Sequence, residues 1–338
     1  MKERERGALL GLACGDALGT TYEFARIDQA RYPVLAAGPA TDIVGNGPFA
    51  LAPGQVTDDT QMAVCLARSL RDRRALDLED IGARYVAWSA EAFDIGNQTG
   101  SALGLIEGGR TARDAGLVTW RASGHRAAGN GSLMRTTPIA VAVAPELRVE
   151  AAILESMITH ADPRCALACA AFDEAVAAAI AGTPELIEVA RTTLASAAIR
   201  MHGWFATLGA DAAEQGAIDE AHAALDRDLT AALADDPDVY GAELDVHRTA
   251  GFVRVAFRLA FWHAHHTPSW RAAVVDVASR GGDADTNAAI VGALLGARDG
   301  ERAIPAAWRE RVLGARQRGS EMWSQAHHPL HLLALVGD

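Results

Sequence analysis

GQVTDDTQMAV, residues 54–64, sets two carboxylates side by side between two threonines, immediately before a run that reads as a helix. A second acidic cluster, in SRGGDADTNAAIVGALLGA at residues 279–297, repeats the arrangement near the other end of the chain. Asp and Thr favour first turns and carboxylates interact well with the helix dipole, so capping explains one such residue per helix. It does not explain Asp58 beside Asp59, or Asp283 two positions before Asp285, because like charges repel and a bound dication would relieve them. Oxygen ligands of this kind suit hard cations such as Mg²⁺ or Mn²⁺. The matched pair, Thr57, Asp58, Asp59 and Thr60 in one cluster and Asp283, Asp285 and Thr286 in the other, points to a binuclear site.

The rest of the chain supplies helices to carry these clusters. Of 338 residues, 50% are hydrophobic, and alanine dominates many windows. Few stretches alternate apolar and polar residues with the β-branched or aromatic enrichment of strands, so the reading is an all-α fold. TDDTQMAVCLARSLRDRR opens with a capping threonine and closes with basic residues, as a helix should. TPELIEVARTTLASAAIRMHGWF reads the same way, with Thr183 as cap and Pro184 in the first helical position. No fixed-period repeat or low-complexity linker divides the chain, which predicts one domain over residues 1–338. Residues 209–243 are more acidic and less apolar than their surroundings and read as a helical insertion, a solvated helix pair rather than a mobile lid.

Composition also excludes several functions. The formal charge of −12 opposes a broad grip on nucleic acid phosphates. No uncharged run reaches the ~18 residues of a membrane span. The start, MKERERGALLGLACGDALG, imitates a secretory signal, but Cys14, Gly15 and Asp16 interrupt its short apolar run, so it reads as the first helix of the domain. Four cysteines, Cys14, Cys65, Cys165 and Cys169, form no CxxC pair and fit buried structural thiols in a reducing, cytoplasmic setting. The histidine groups His263, His265, His266 and His327, His328, His331 lack a cysteine or HExxH partner and read as helix-end and surface residues rather than zinc ligands.

Six blocks in order carry a family resemblance: GALLGLACGDALGTTYEF, PGQVTDDTQMAVCLARSL, FDIGNQTG, GNGSLMRTTPIA, THADPRC and SRGGDADTNAAIVGALLGA, spanning residues 7–297. Together they resemble the ADP-ribosylglycohydrolase family, which includes the dinitrogenase-reductase-activating glycohydrolases and the ADP-ribosylserine hydrolases. The resemblance implies a compact all-α domain whose cleft binds two divalent cations, Mg²⁺ or alternatively Mn²⁺. It implies Thr57, Asp58, Asp59, Asp283, Asp285 and Thr286 as ligands, and it implies that the two helix starts meet in space. Glu23 matches a family glutamate that gates the cleft or acts as acid or base. Asp94 and Asn97 match the loop beside the distal ribose, with Gly96 and Gly100 suiting a turn there, and Asp94 matches an acid that handles the substrate and is a catalytic candidate. Gly129, Asn130, Gly131 and Ser132 match a diphosphate loop, and His160 a substrate-contacting histidine.

The implied activity is metal-dependent hydrolysis of the bond between ADP-ribose and a modified side chain of a protein, or of a small ADP-ribose conjugate. Attack of water at the anomeric carbon needs a proton acceptor, and Asp283 and Asp59 are equal candidates on sequence. PGQVTDDTQM favours an arginine linkage; ADP-ribosyl-serine, O-acetyl-ADP-ribose or a noncatalytic ADP-ribose-binding relative are the alternatives. An isoprenoid diphosphate enzyme would require DDxxD, and here Asp58 and Asp59 are followed by Thr60, Gln61 and Met62.

Overall fold

The computed structural model describes residues 1–337. Its helices are α1 (Lys2–Gly19), α2 (Asp58–Arg73), α3 (Leu78–Ser89), α4 (Asn97–Glu107), α5 (Ala112–Ala122), α6 (Thr137–Ala142), α7 (Pro145–Met157) and α8 (Pro163–Ala181). They continue with α9 (Leu186–Thr207), α10 (Ala212–Ala231), α11 (Val253–His266), α12 (Trp270–Ser279), α13 (Ala284–Asp299), α14 (Ala306–Gly314), α15 (Glu321–Ala326) and α16 (Leu330–Leu333). Extended pairing among the described residues is confined to isolated bridges, so the fold is all-α as the composition indicates.

The architecture is organised around α1 and α13. Every residue of α13 from Ala284 to Ala297 is buried, as is every residue of α1 from Gly7 to Gly19. A helix apolar on all sides belongs at the centre of a bundle. The two run antiparallel with Gly7 against Gly296, Gly11 against Gly292, Gly15 against Ala288 and Gly19 against Ala284. A methyl group on any of these four α1 glycines would lie 2.1–2.2 Å from a carbonyl oxygen of α13. The four-residue spacing puts all four glycines on one face, and their missing side chains let the backbones touch. This register sets the end of α1, with Asp16, beside the beginning of α13, with Asp283 and Asp285.

Around this pair, α2 packs on α1 and α13, α8 packs on α7, α9 and α13, and α11 and α12 cover the other side of α13. The acidic segment 209–243 contributes one helix, α10, rather than a solvated pair. Ile218, Leu225 and Leu229 are fully buried against the neighbouring helices, and Asp228 is buried in bidentate contact with Arg254. Its acidity is divided: Asp219 and Glu220 are exposed, whereas Glu214 and Asp228 are buried. Thr183 does not cap α9, which starts at Leu186. Instead Gly182 adopts the left-handed conformation and the Thr183 N–H donates to Ala178 O, so this threonine closes α8.

All four cysteines are unpaired and buried, as expected. The expectation of surface histidines fails at His263, which is fully buried, bonded to Thr267 Oγ1 and 3.2 Å from Asp276. His327 is also buried, with Nδ1 against Trp323 O. Alternating histidines look polar in sequence, but each ring is also a flat apolar surface, and here His263 packs at right angles to Trp262, His266 stacks on Trp262 and His327 packs at a tilt against Trp323. Among the described residues no helix is long and apolar enough to cross a membrane.

Candidate active site

The first turn of α2 does not cap itself. Thr57 stands at the N-cap position without a side-chain cap bond, contrary to the sequence expectation. Asp16 of α1 performs that work from outside: its carboxylate accepts the N–H and hydroxyl of Thr57 at 3.0–3.1 Å and those of Thr60 at 3.2 and 2.5 Å. The Thr57 hydroxyl also lies 2.9 Å from Asp59 Oδ2.

The first turn of α13 is organised the same way. Asp283 makes no cap bond; Glu23 Oε2 accepts the Ala284 N–H at 2.6 Å. Glu23 reaches that point because its loop is knitted to the turn before α13. Phe24 N–H donates to Gly282 O at 2.7 Å and Gly282 N–H to Ala25 O at 2.8 Å. Gly281 and Gly282 both have φ above +70°, and a Cβ on either would sit within 2.1 Å of a carbonyl oxygen, so only glycine fits there.

With both helices capped by residues outside the clusters, the acids of the clusters turn toward each other. Thr286 Oγ1 of α13 is 3.4 Å from Asp59 Oδ2 of α2, which joins the two acidic stretches in space. Two groups of carboxylates, Asp16 with Asp59 and Asp285, and Glu23 with Asp283 and Asp285, each have oxygens within 4.8 Å of one another. A cleft of about 320 Å³ opens above them, lined by Glu23, Asp58, Asp94, Asp283, Asp285 and Thr286 among others, and by no lysine or arginine. A larger groove of about 790 Å³ elsewhere is mainly aliphatic, with Arg71, Arg74 and Glu150 as its charged residues, and gathers no acidic cluster.

The electrostatics follow from burying so much acid together. Burial, reinforced by Asp94 and Asp285, holds Asp58 well above the carboxylate range; burial and Asp285 do the same to Asp59. Asp285 is pushed up to about 8, and Asp16, Asp94 and Asp283 to about 6, in each case by burial first. Burial and the neighbouring Asp285 and Asp283 also drive Glu23 strongly upward. Asp59 Oδ1 is buried without a hydrogen-bond partner. An orphaned carboxylate oxygen among mutually repelling acids, surrounded by hydroxyl and carboxylate oxygens, fits a hard dication, which supplies the missing contact and the missing charge.

The remaining expected residues divide. Asp94 and Asn97 line the cleft, Asn97 as the first residue of α4. Neither Gly96 nor Gly100 takes a left-handed backbone, and a Cβ would fit at both, so that turn does not depend on glycine. Gly129, Asn130 and Gly131 also line the cleft, and Asn130 Nδ2 donates to Asp283 Oδ2 at 2.6 Å. The Gly129 N–H is already taken by Gln98 Oε1 and the Asn130 N–H by Gly251 O. Ser132 is fully buried, with its hydroxyl facing Ser156 and Cys169, and does not line the cleft. His160 is buried, lines the cleft and is bonded through Nδ1 to Thr159 Oγ1. A Cβ on Gly131 would meet its ring at 2.9 Å, which is why glycine stands there. Burial, then Arg135, lowers this histidine well below its ordinary value, so it is a neutral imidazole.

Sequence reasoning missed Asp16 as part of the site. The signal was present in GLACGDALG: one acid in the middle of an otherwise apolar, glycine-punctuated helix, where burial demands a partner. Also unforeseen was Gln317, from the motif-free carboxyl-terminal region. Its Oε1 accepts the Val56 N–H while Gln61 Nε2 donates to Val56 O, so side chains hold the peptide groups on both sides of Val56, the residue before Thr57.

The family model for ADP-ribosylglycohydrolase matches residues 1–335. The chain is 29% identical over 322 residues to the ADP-ribosylarginine hydrolase Tri1 of Pseudomonas putida (strain GB-1), covering 92% of this chain and 74% of that protein. It is 27% identical over 315 residues to the ADP-ribosyl-[dinitrogen reductase] glycohydrolase of Rhodospirillum rubrum, covering 92% and 90%. A solved structure titled ADP-ribosylglycohydrolase-related protein complex superposes with a TM-score of 0.64 at 25% identity, over 99% of this chain and 97% of that one. The chain belongs to the ADP-ribosylglycohydrolase family of enzymes.

Proposed function

We propose that this protein hydrolyses the N-glycosidic bond between ADP-ribose and a modified arginine side chain of a protein, releasing free ADP-ribose. The observation that carries this reading is the external capping of α2 and α13 by Asp16 and Glu23, which leaves Asp58, Asp59, Asp283 and Asp285 for another purpose beside a 320 Å³ cleft. The arginine linkage is supported by the named activity of the Pseudomonas relative, an ADP-ribosylarginine hydrolase.

In this reading Thr57, Asp58, Asp59, Asp283, Asp285 and Thr286 would hold two divalent cations, Mg²⁺ in preference to Mn²⁺ on the grounds of abundance, since an all-oxygen ligand set suits both. When bound, such ions would supply Lewis acidity to a vicinal diol and to the attacking water. Asp283 accepts the proton of the attacking water at a carboxylate oxygen; it lines the cleft, whereas Asp59 is buried beneath it. Glu23 holds the N-terminus of α13 and with it the position of Asp283 and Asp285. Asp94 and Asn97 orient the distal ribose. The diphosphate rests against the Asn130–Gly131 turn and neutral His160, and the acidic walls restrict its approach unless cations offset them. Four unpaired buried thiols support a reducing, cytoplasmic site of action, and the formal charge of −12 opposes a nucleic acid partner.

The test measures ADP-ribose released from arginine-linked and serine-linked protein conjugates with Mg²⁺, with Mn²⁺ and after chelation, using wild type and Asp283→Ala. Metal-dependent release from the arginine conjugate, lost in Asp283→Ala, is the expected result. Release from the serine conjugate alone would reverse the linkage, and tight metal-dependent binding of ADP-ribose without release from either would make the protein a noncatalytic binder.

A further inference from the structure

The rim of the cleft carries an aromatic feature that the acidic chemistry does not use. Phe24 lines the cleft and is 71% exposed. Single exposed apolar residues are ordinary on protein surfaces, but Phe24 also has φ of +59°, a backbone conformation that bulky residues rarely adopt. Its N–H to Gly282 O and the following Ala25 O to Gly282 N–H fix that conformation, so the ring is presented by a braced segment. Strain of this kind concentrates where a side chain is needed in one place.

Phe24 is the end of a short rail. Its ring stands edge-on to Phe49 with centroids 6.1 Å apart, and Phe49 lies 5.4 Å from Phe93, the residue before Asp94. At the far end a guanidinium is already in place: Arg318 lies over the Phe93 ring at 5.0 Å, held by a hydrogen bond from Nη1 to Phe49 O. The near end, at Phe24, is flanked by carboxylates that line the same cleft, Glu23, Asp58 and Asp94. An exposed ring face beside carboxylates, with no basic side chain lining the cleft, is complementary to a planar cation.

We propose that Phe24, backed by Phe49 and Phe93, forms the leaving-group side of the cleft and receives the guanidinium of an arginine-linked substrate against its ring. This rests on the hydrolase reading and deepens it: Phe24 becomes a residue that selects the linkage. A serine linkage presents no cation to the ring and gains nothing from it.

The experiment compares wild type, Phe24→Leu and Phe24→Trp. Leucine keeps an apolar side chain and removes the ring quadrupole; tryptophan strengthens it. KM is measured for arginine-linked and serine-linked conjugates, with inhibition by free ADP-ribose as the reference for the rest of the site. The expected result is a KM for the arginine conjugate raised about three- to thirtyfold in Phe24→Leu, the range such a contact supplies, and restored or improved in Phe24→Trp. Inhibition by ADP-ribose stays constant throughout. A parallel weakening of ADP-ribose inhibition would overturn the proposal by placing Phe24 against the nucleotide, and unchanged KM values would overturn it outright. If wild type cleaves no conjugate, the hydrolase reading falls by itself. The same comparison is then read from equilibrium dissociation constants of the arginine conjugate and free ADP-ribose, and a preference for the conjugate that Phe24→Leu leaves intact counts against the rail.

Discussion

Replacing Gly15 by alanine tests whether the backbone contact of α1 and α13 sets the site. The new Cβ would lie 2.1 Å from Ala288 O and 2.5 Å from Ala288 C. Ordinary contact needs about 3.5 Å, so the helices must separate by roughly 1.4 Å. Neither obstacle is a flexible side chain, which places the overpacking cost near the upper end of its range, about 3 kcal/mol. Alanine's better helix propensity returns about 1 kcal/mol, leaving a net loss of about 2 kcal/mol. The control is the same substitution at Gly203 in α9, where nothing lies within 4 Å of the added Cβ; there the propensity gain is unopposed and stability rises by about 0.5–1 kcal/mol. Denaturant midpoints at constant slope measure both. The displacement also reaches Asp16, the next residue, whose bonds to Thr57 and Thr60 span only 2.5–3.2 Å and do not survive a shift of this size. Metal-dependent activity of Gly15→Ala should therefore fall by about 10²-fold, the effect of a misplacement near 1 Å. A Gly15→Ala protein as stable as Gly203→Ala, or one destabilised with full activity, would refute the reasoning.

Asp16→Asn keeps the shape of the side chain and removes the charge that caps α2, so stability should drop by about 1 kcal/mol while metal affinity, followed by titration calorimetry, weakens at the same time; unchanged metal affinity would restrict Asp16 to capping. Although burial opposes it, the Asp276 carboxylate is held down to about 2 by His263 and Arg280. A depressed folded value means stability that is present above the ordinary value near 4 and is lost as pH falls toward 2, about 2–3 kcal/mol in all. The stability advantage of wild type over Asp276→Asn should shrink by that amount between pH 5 and pH 2 in equilibrium denaturation, and a constant difference would count against the ion pair. Saturating Mg²⁺, at about a hundred times its dissociation constant, should stabilise the wild type by about 2.7 kcal/mol per site, with the gain reduced in Asp59→Ala; equal gains in both proteins would place the ion elsewhere.

How much of this could be read from the chain varied with the range of the interaction. Helix formation after Thr57 and after Asp283 is local: polar first-turn residues followed by alanine-rich apolar runs specify it wherever the segment sits. The doubled acids were legible for the same reason, since repulsion between neighbours in sequence needs no tertiary information. Thr57 was misread as a cap because its hydroxyl has a competing partner from α1, and a competitor 41 residues away leaves no local trace. Ser132 sits within a glycine-rich run that suggests exposure, yet contacts with Ser156 and Cys169 turn its hydroxyl inward.

The sequence by itself determined an all-α protein with two oxygen-rich helix starts, because capping, propensity and like-charge crowding are properties of adjacent residues. Tertiary structure decided that these starts form one site. That depends on the glycine register of α1 against α13, where the missing side chains of Gly7, Gly11, Gly15 and Gly19 along one face let two backbones approach closely enough to bring Asp16 beside Asp285. It depends equally on Glu23 and Asp16 taking over the capping of helices to which they do not belong, which frees the acids of each cluster to face the cleft. Contacts of this kind are fixed only when the chain has folded, since each joins groups that sequence separates by tens to hundreds of residues.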